Sequence, residues 1–250
     1  MIDAKSLLDR FLGPNSQGGG QIGKILGQMG GGDSRPQQQP GRGSSSGGLP
    51  MGFLGGAASG GLVGMLLGGK KKKGFGGVLS HGGAAALGAL AYRAWQNYQQ
   101  GQAPASAPVA TAGDMREADA SFQPQVATQA FNLALVQAMI GAAKADGHID
   151  AEEQRAIFSH VEQAGLDAEA KAFVFDALSK PTDLAAITAG ATTQEQAAEL
   201  YLATRLVIDV DHPAERAYLD ALAHRLKLPP QLIEHLSVQS DAALQGKALV

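Results

Sequence analysis

The stretch that decides the architecture is Lys144–Glu153, KADGHIDAEE. Its run Asp146-Gly147-His148-Ile149-Asp150-Ala151-Glu152-Glu153 matches positions 5 to 12 of a twelve-residue calcium loop: an acid, the turn glycine, a buried Ile, an acid and a closing Glu. The preceding loop positions contradict that match. Positions 1 and 3 would be Ala142 and Lys144, neither of which offers a side-chain oxygen. The same residues also suit a join between two helices. Gly147 fits the left-handed residue that closes one helix, while Asp150 and Glu153 form a capping box for the next.

A second stretch, IDVDHPAERAYLDALA from Ile208, repeats this layout. At an offset of 62 residues Glu153 matches Glu215, Ile157 matches Leu219 and Leu166 matches Leu228; at 63, Asp146 matches Asp209. Two helix–turn–helix units sharing a core are expected. If they lie side by side, Asp146, Asp150 and Glu153 face Asp209, Asp211 and Glu215. Six carboxylates repel strongly without a cation, so two readings stand. One is capping alone; the other is a shared site for a divalent cation or a basic partner. His148 and His212 lie in the two turns and could join such a site, whereas His160, His224 and His235 sit on helices, where surface or satisfied core roles are commoner.

Working outward, helical periodicity predicts seven helices: about 125–145, 151–164, 168–179, 183–189, 194–208, 213–226 and 230–238. Asp167 and Thr193 read as N-caps, with Gln196 in capping-box position, and Pro213 as a helix start. No strand-like alternation occurs, so the class is all-α.

The other half is different in kind. Residues 1–113 hold 29 of the 34 glycines and a charge of +7, against −10 for residues 114–250. A basic half suits an anionic surface, and an acidic half suits cations or basic partners. MIDAKSLLDRFLG reads as a short amphipathic helix with Ile2, Leu7, Leu8, Phe11 and Leu12 on one side. It lacks the apolar core of a secretory signal. Residues 13–50 have the composition of a disordered linker. Residues 52–69 are eighteen uncharged residues with Gly52, Gly56, Gly60, Gly64 and Gly68 at a strict four-residue spacing. On a helix those glycines line one close-approach face, and such a helix is about 27 Å long, near the thickness of a bilayer core. Lys70, Lys71, Lys72 and Lys73 follow, suited to anionic lipid. A second uncharged run, 74–92, leads to Tyr92, Arg93, Trp95 and Tyr98, residue types of a membrane interface. A low-complexity glycine linker is the competing reading of both runs.

The chain therefore divides into a short amphipathic N-terminus and linker (1–51), a glycine-zipper membrane-associating region (52–98), an Ala/Pro/Gln linker (99–122), a helical domain (123–240) and a tail (241–250). There is no cysteine, which excludes disulfides and thiol catalysis. There is no G-x-S-x-G elbow, no H-E-x-x-H and no Walker A pattern. The lysines lack interleaved aromatics, which argues against nucleic acid.

The two acidic turns between apolar helices resemble those of the tellurite-resistance TerB-like domain. MIDAKSLLDRFLG, the glycine zipper with its lysines, and AYRAWQNYQ make the whole chain similar to the YebE-like inner-membrane family of unknown function. The resemblance implies an all-α bundle of about seven helices, a place at the bacterial inner membrane and no established enzymatic activity. It also implies divalent metal binding through acids in the turns, here Asp146, Asp150, Glu153, Asp209, Asp211 and Glu215. The function expected is a membrane-tethered, non-enzymatic adaptor or stress-associated module. Its helical domain would be cytoplasmic, its protein partner undefined, and its self-association would run through Gly56, Gly60 and Gly64. The favoured topology is a single span over 52–69. The alternatives are a soluble stress protein with a disordered head and a metal-dependent enzyme.

Overall fold

The computed structural model describes residues 2–12, 83–118, 122, 128–145, 161–162, 166–208, 210 and 212–249. Within them the chain is all-α. Its helices are α1 (Ala4–Leu12), α2 (Ala84–Gln99), α3 (Asp114–Glu117), α4 (Gln129–Ala143), α5 (Ala168–Ser179), α6 (Leu184–Ala189), α7 (Gln194–Val207), α8 (Pro213–Arg225) and α9 (Pro230–Leu244). The expected glycine zipper, Lys70–Lys73 and most of the predicted 151–164 helix lie outside the described residues.

Local chemistry sets the helix starts. Thr128, Asp167, Asp183 and Thr193 each accept a hydrogen bond from a first-turn backbone N–H, a contact worth about 1 kcal/mol per cap. Gln196 does not close a capping box on Thr193. Its Oε1 accepts from the Thr192 N–H at 2.8 Å, one residue earlier. Pro213 and Pro230 occupy first-turn positions, where a missing N–H costs nothing.

The centre of the bundle is α7. Leu200 and Leu202 are fully buried, and the helix packs on α4, α9 and α2. The membership of α2 differs from the sequence expectation. Ala86, Leu87, Ala89, Leu90, Ala91 and Ala94 are at most 1% exposed, against α9, α7 and α3. Tyr92, Trp95 and Tyr98, expected at a membrane interface, are half-buried against this core. Tyr92 meets Phe122 edge-on with ring centroids 5.8 Å apart, and Trp95 lies 6.2 Å from the same ring. The reason is burial: an Ala/Leu-rich helix whose one charge, Arg93, is paired is as well served by a protein core as by lipid.

The stretch expected to be an Ala/Pro/Gln linker is largely exposed over residues 101–118 but is anchored to the bundle at Ala110, Asp114 and Ala118, which are buried. The carboxylate of Asp114, whose side chain is fully buried, pairs with Arg93 of α2 and accepts from the Thr111 N–H and hydroxyl at 2.6 and 2.8 Å. The Asn97 amide donates to Pro108 O at 2.9 Å. The expected tail docks too: Leu249, 1% exposed, donates its N–H to Ala110 O at 2.7 Å. Among the described residues no helix is long and apolar enough to cross a membrane.

The N-terminal helix sits on the same core. Asp3 caps it by accepting from the Ser6 N–H at 3.0 Å, and Lys5 and Asp9 pair at 3.3 Å on its outer face. Leu7, Leu8 and Phe11 are at most 1% exposed against α4 and the start of α2.

Candidate functional site

The first acidic turn is approached along α4, which continues as a regular helix through Ala142, itself 2% exposed. Lys144, at what would be loop position 3, follows immediately. Its Nζ donates to Ala177 O at 3.0 Å and to Lys180 O, at the C-terminal end of α5. Burial holds its pKa below the usual lysine range, while the carbonyls receive the cation at the negative end of a helix dipole. A calcium loop needs oxygen donors at Ala142 and Lys144. One of these is core and the other is a cation already engaged, so the EF-hand geometry is excluded on described residues alone. Asp146, Asp150 and Glu153 lie outside them.

At the second turn Asp209 and Asp211 also lie outside the described residues, and Glu215 is described. It stands at the third position of α8. Its carboxylate accepts from the His212 N–H at 3.4 Å, while His212 Nδ1 accepts from the Ala214 N–H at 3.3 Å. This is a capping box with histidine as the N-cap. Glu215 is thus where the capping reading puts it, and His212, a candidate ligand, serves the backbone. Arg216 extends from the same turn to Val210 O at 2.9 Å.

The helices flanking the two turns touch through one side chain. Tyr218 of α8 lies over Gly141 of α4, its hydroxyl 3.4 Å from Ala138 O. A Cβ at Gly141 would stand 2.5 Å from that hydroxyl and 2.6 Å from Thr182 Cγ2, so a side chain there would have to push both groups away. Burial raises the Tyr218 pKa further above the usual tyrosine range. The contact lies five residues before Asp146 and three after Glu215. Among the described residues no group of three or more His, Asp or Glu could hold a metal.

Two features escaped the sequence reading. Glu199 sits mid-α7, 1% exposed, and its Oε1 has no hydrogen-bond partner among the described residues. Burial pushes its pKa up to about 8, so the carboxyl is mostly protonated at neutral pH. The signal was available: Glu199 falls inside the apolar run AAELYLA, where a charged side chain has no solvent face. The second is a cavity of about 360 Å³ where the α6–α7 turn meets the end of α8, lined by Thr188, Thr193, Gln194, Arg225 and Lys227 among others. Of the helix histidines, His224 is exposed. His235 is 2% exposed, with Nε2 3.2 Å from Gln102 O, a core position.

Residues 52–240 match the family model described as "Protein of unknown function (DUF533)". The chain belongs to the DUF533 family. The match opens at Gly52 and ends within α9 at Ser240. The chain is also 40% identical over 95 residues to the "Uncharacterized protein in ampR 5'region" of Yersinia enterocolitica, an alignment covering 38% of this chain and 68% of that protein. No solved structure matches the chain.

Proposed function

We propose that this DUF533 protein is a non-enzymatic adaptor that holds its helical bundle at the anionic surface of the bacterial inner membrane, on the cytoplasmic face. One observation carries the reading. Four consecutive GxxxG units run directly into Lys70–Lys73 within the span matched by the family. Lysines next to an apolar segment attract anionic headgroups at about 1 kcal/mol each. The glycine period supplies a face for close helix contact, with self-association through Gly56, Gly60 and Gly64. The finer TerB-like and YebE-like assignments belong to this proposal and agree with the all-α class.

The test is vesicle flotation of the full chain. Binding to vesicles with anionic lipid, weaker on neutral vesicles and lost when Lys70–Lys73 are all changed to Gln, supports the reading. Equal recovery with and without vesicles overturns it.

A second reading, a divalent cation shared between the acidic turns, is supported by the Tyr218 contact on α4 near Gly141, which links the helices flanking them. Asp146, Asp150, Glu153, Asp209, Asp211 and Glu215 are its ligand set.

A further inference from the structure

We infer that α1 is a clasp that closes residues 13–82 into a loop leaving and re-entering the bundle at one place, so that Asp3 and α9 lie on the same side of any membrane the chain meets. The two ends of that stretch touch. A Cβ built on Gly83 would lie 2.6 Å from Leu12 O and 2.9 Å from Leu12 C. Gly83 takes a φ of +44°, which a side chain would strain, and its carbonyl accepts the Leu87 N–H at 3.0 Å at the start of α2. The last turn of α1 and the first turn of α2 therefore abut through backbone atoms.

The clasp is built as a core element. Phe11 is fully buried, Leu7 and Leu8 are 1% exposed, and the Gln129 side chain of α4 donates to Ile2 O at 2.6 Å. A nine-residue helix is marginal by itself in water. The seat on α4 and α2, where its large apolar side chains are buried, is what holds it.

Topology follows. Between Leu12 and Gly83 the chain can cross a bilayer only an even number of times. A helical crossing needs about 20 predominantly apolar residues, and this interval holds one such run, 52–69. The second uncharged run cannot serve, because its residues from Ala84 onward are α2 in the core. What remains, 74–83, would make a helix of only about 15 Å. With an even count required, the clasp does not fit the single-span topology that the lysines suggest. The inference rests on the seat of α1 and not on lipid binding, so the two fail separately.

The experiment uses the full, naturally cysteine-free chain carrying Ile2→Cys and Gln129→Cys, treated with a short bismaleimide at high dilution. Intrachain cross-linking supports the clasp, and Phe11→Asp should lower its yield roughly tenfold or more by placing a charge in the seat. Free thiols, cross-links between chains only, or a yield indifferent to Phe11→Asp would overturn it. In cells, single cysteines at exposed Asp3 and Lys247 are treated with a membrane-impermeant maleimide before and after permeabilisation. Matching accessibility supports the inference, and opposite accessibility overturns it.

Discussion

Gln239 of α9 reads the backbone on both sides of Val109: its Oε1 accepts from the Ala110 N–H at 2.8 Å and its Nε2 donates to Pro108 O at 2.8 Å. A fully buried amide thus replaces the backbone partner that this extended segment lacks. Gln239→Ala leaves the Ala110 N–H unsatisfied, while Pro108 O keeps the Asn97 amide, and should cost about 1–3 kcal/mol. Gln239→Glu should cost at least as much, because a carboxylate cannot donate to Pro108 O. Urea denaturation measures the loss, and limited proteolysis should show new cleavage within residues 101–113.

Because α2 and residues 101–118 supply part of the core, a fragment of residues 83–249 should melt cooperatively. The shorter fragment 123–240 lacks Leu87, Leu90 and Ala94 and should give a broad, low-temperature transition. Thermal circular dichroism of the two decides. Equal midpoints would return the boundary to 123.

Glu199 makes stability depend on pH in a defined direction. Its folded pKa, about 8, is raised by burial above its ordinary value of 4.5. Its contribution is fully present below about pH 4.5 and is lost as pH rises through about 8. The ceiling on that loss is on the order of 5 kcal/mol. Glu199→Gln should flatten the stability profile across this window and raise the melting temperature at pH 8.5. An unchanged profile would mean that the carboxyl reaches solvent.

Glu215 separates capping from cation binding. Gln also completes a capping box, so Glu215→Gln should change stability without metal by less than about 0.5 kcal/mol, while Glu215→Ala costs about 1 kcal/mol. If the turns share a cation, millimolar calcium, magnesium or manganese raises the melting temperature of the parent chain. Glu215→Gln then shrinks that shift, and Asp146→Asn with Asp209→Asn removes it. No shift with any of the three ions leaves capping as the whole role.

Helices bounded by strong local signals could be read from the sequence alone. The range of α5 agrees residue for residue, and α6, α7 and α8 agree within one; Asp167, Thr193 and Pro213 mark the starts of α5, α7 and α8, whereas Asp183, read as a helical residue, is the N-cap of α6. α9 runs six residues past its expected end. Gln239 and Ser240 look like a polar terminus but are buried, with Gln239 engaged by residues 108–110. The role of α2 was not readable, because an uncharged run of Ala, Leu and Gly fits lipid and core alike. What distinguishes them is Asp114, the partner of Arg93 21 residues away. Of the predicted carboxylate set, Glu215 is placed, and its capping bond follows from its spacing to His212. The other five lie outside the described residues.

The central structural claim is that α1, α2 and the C-terminal helices share one core, and native-state hydrogen exchange of the full chain tests it most directly. The account predicts that amides of Leu87–Ala94 exchange as slowly as those of Leu200–Leu206, by the same global opening, with Leu8–Leu12 protected well above an isolated peptide. Slow exchange in α7 together with peptide-like exchange in α1 and α2 would contradict it.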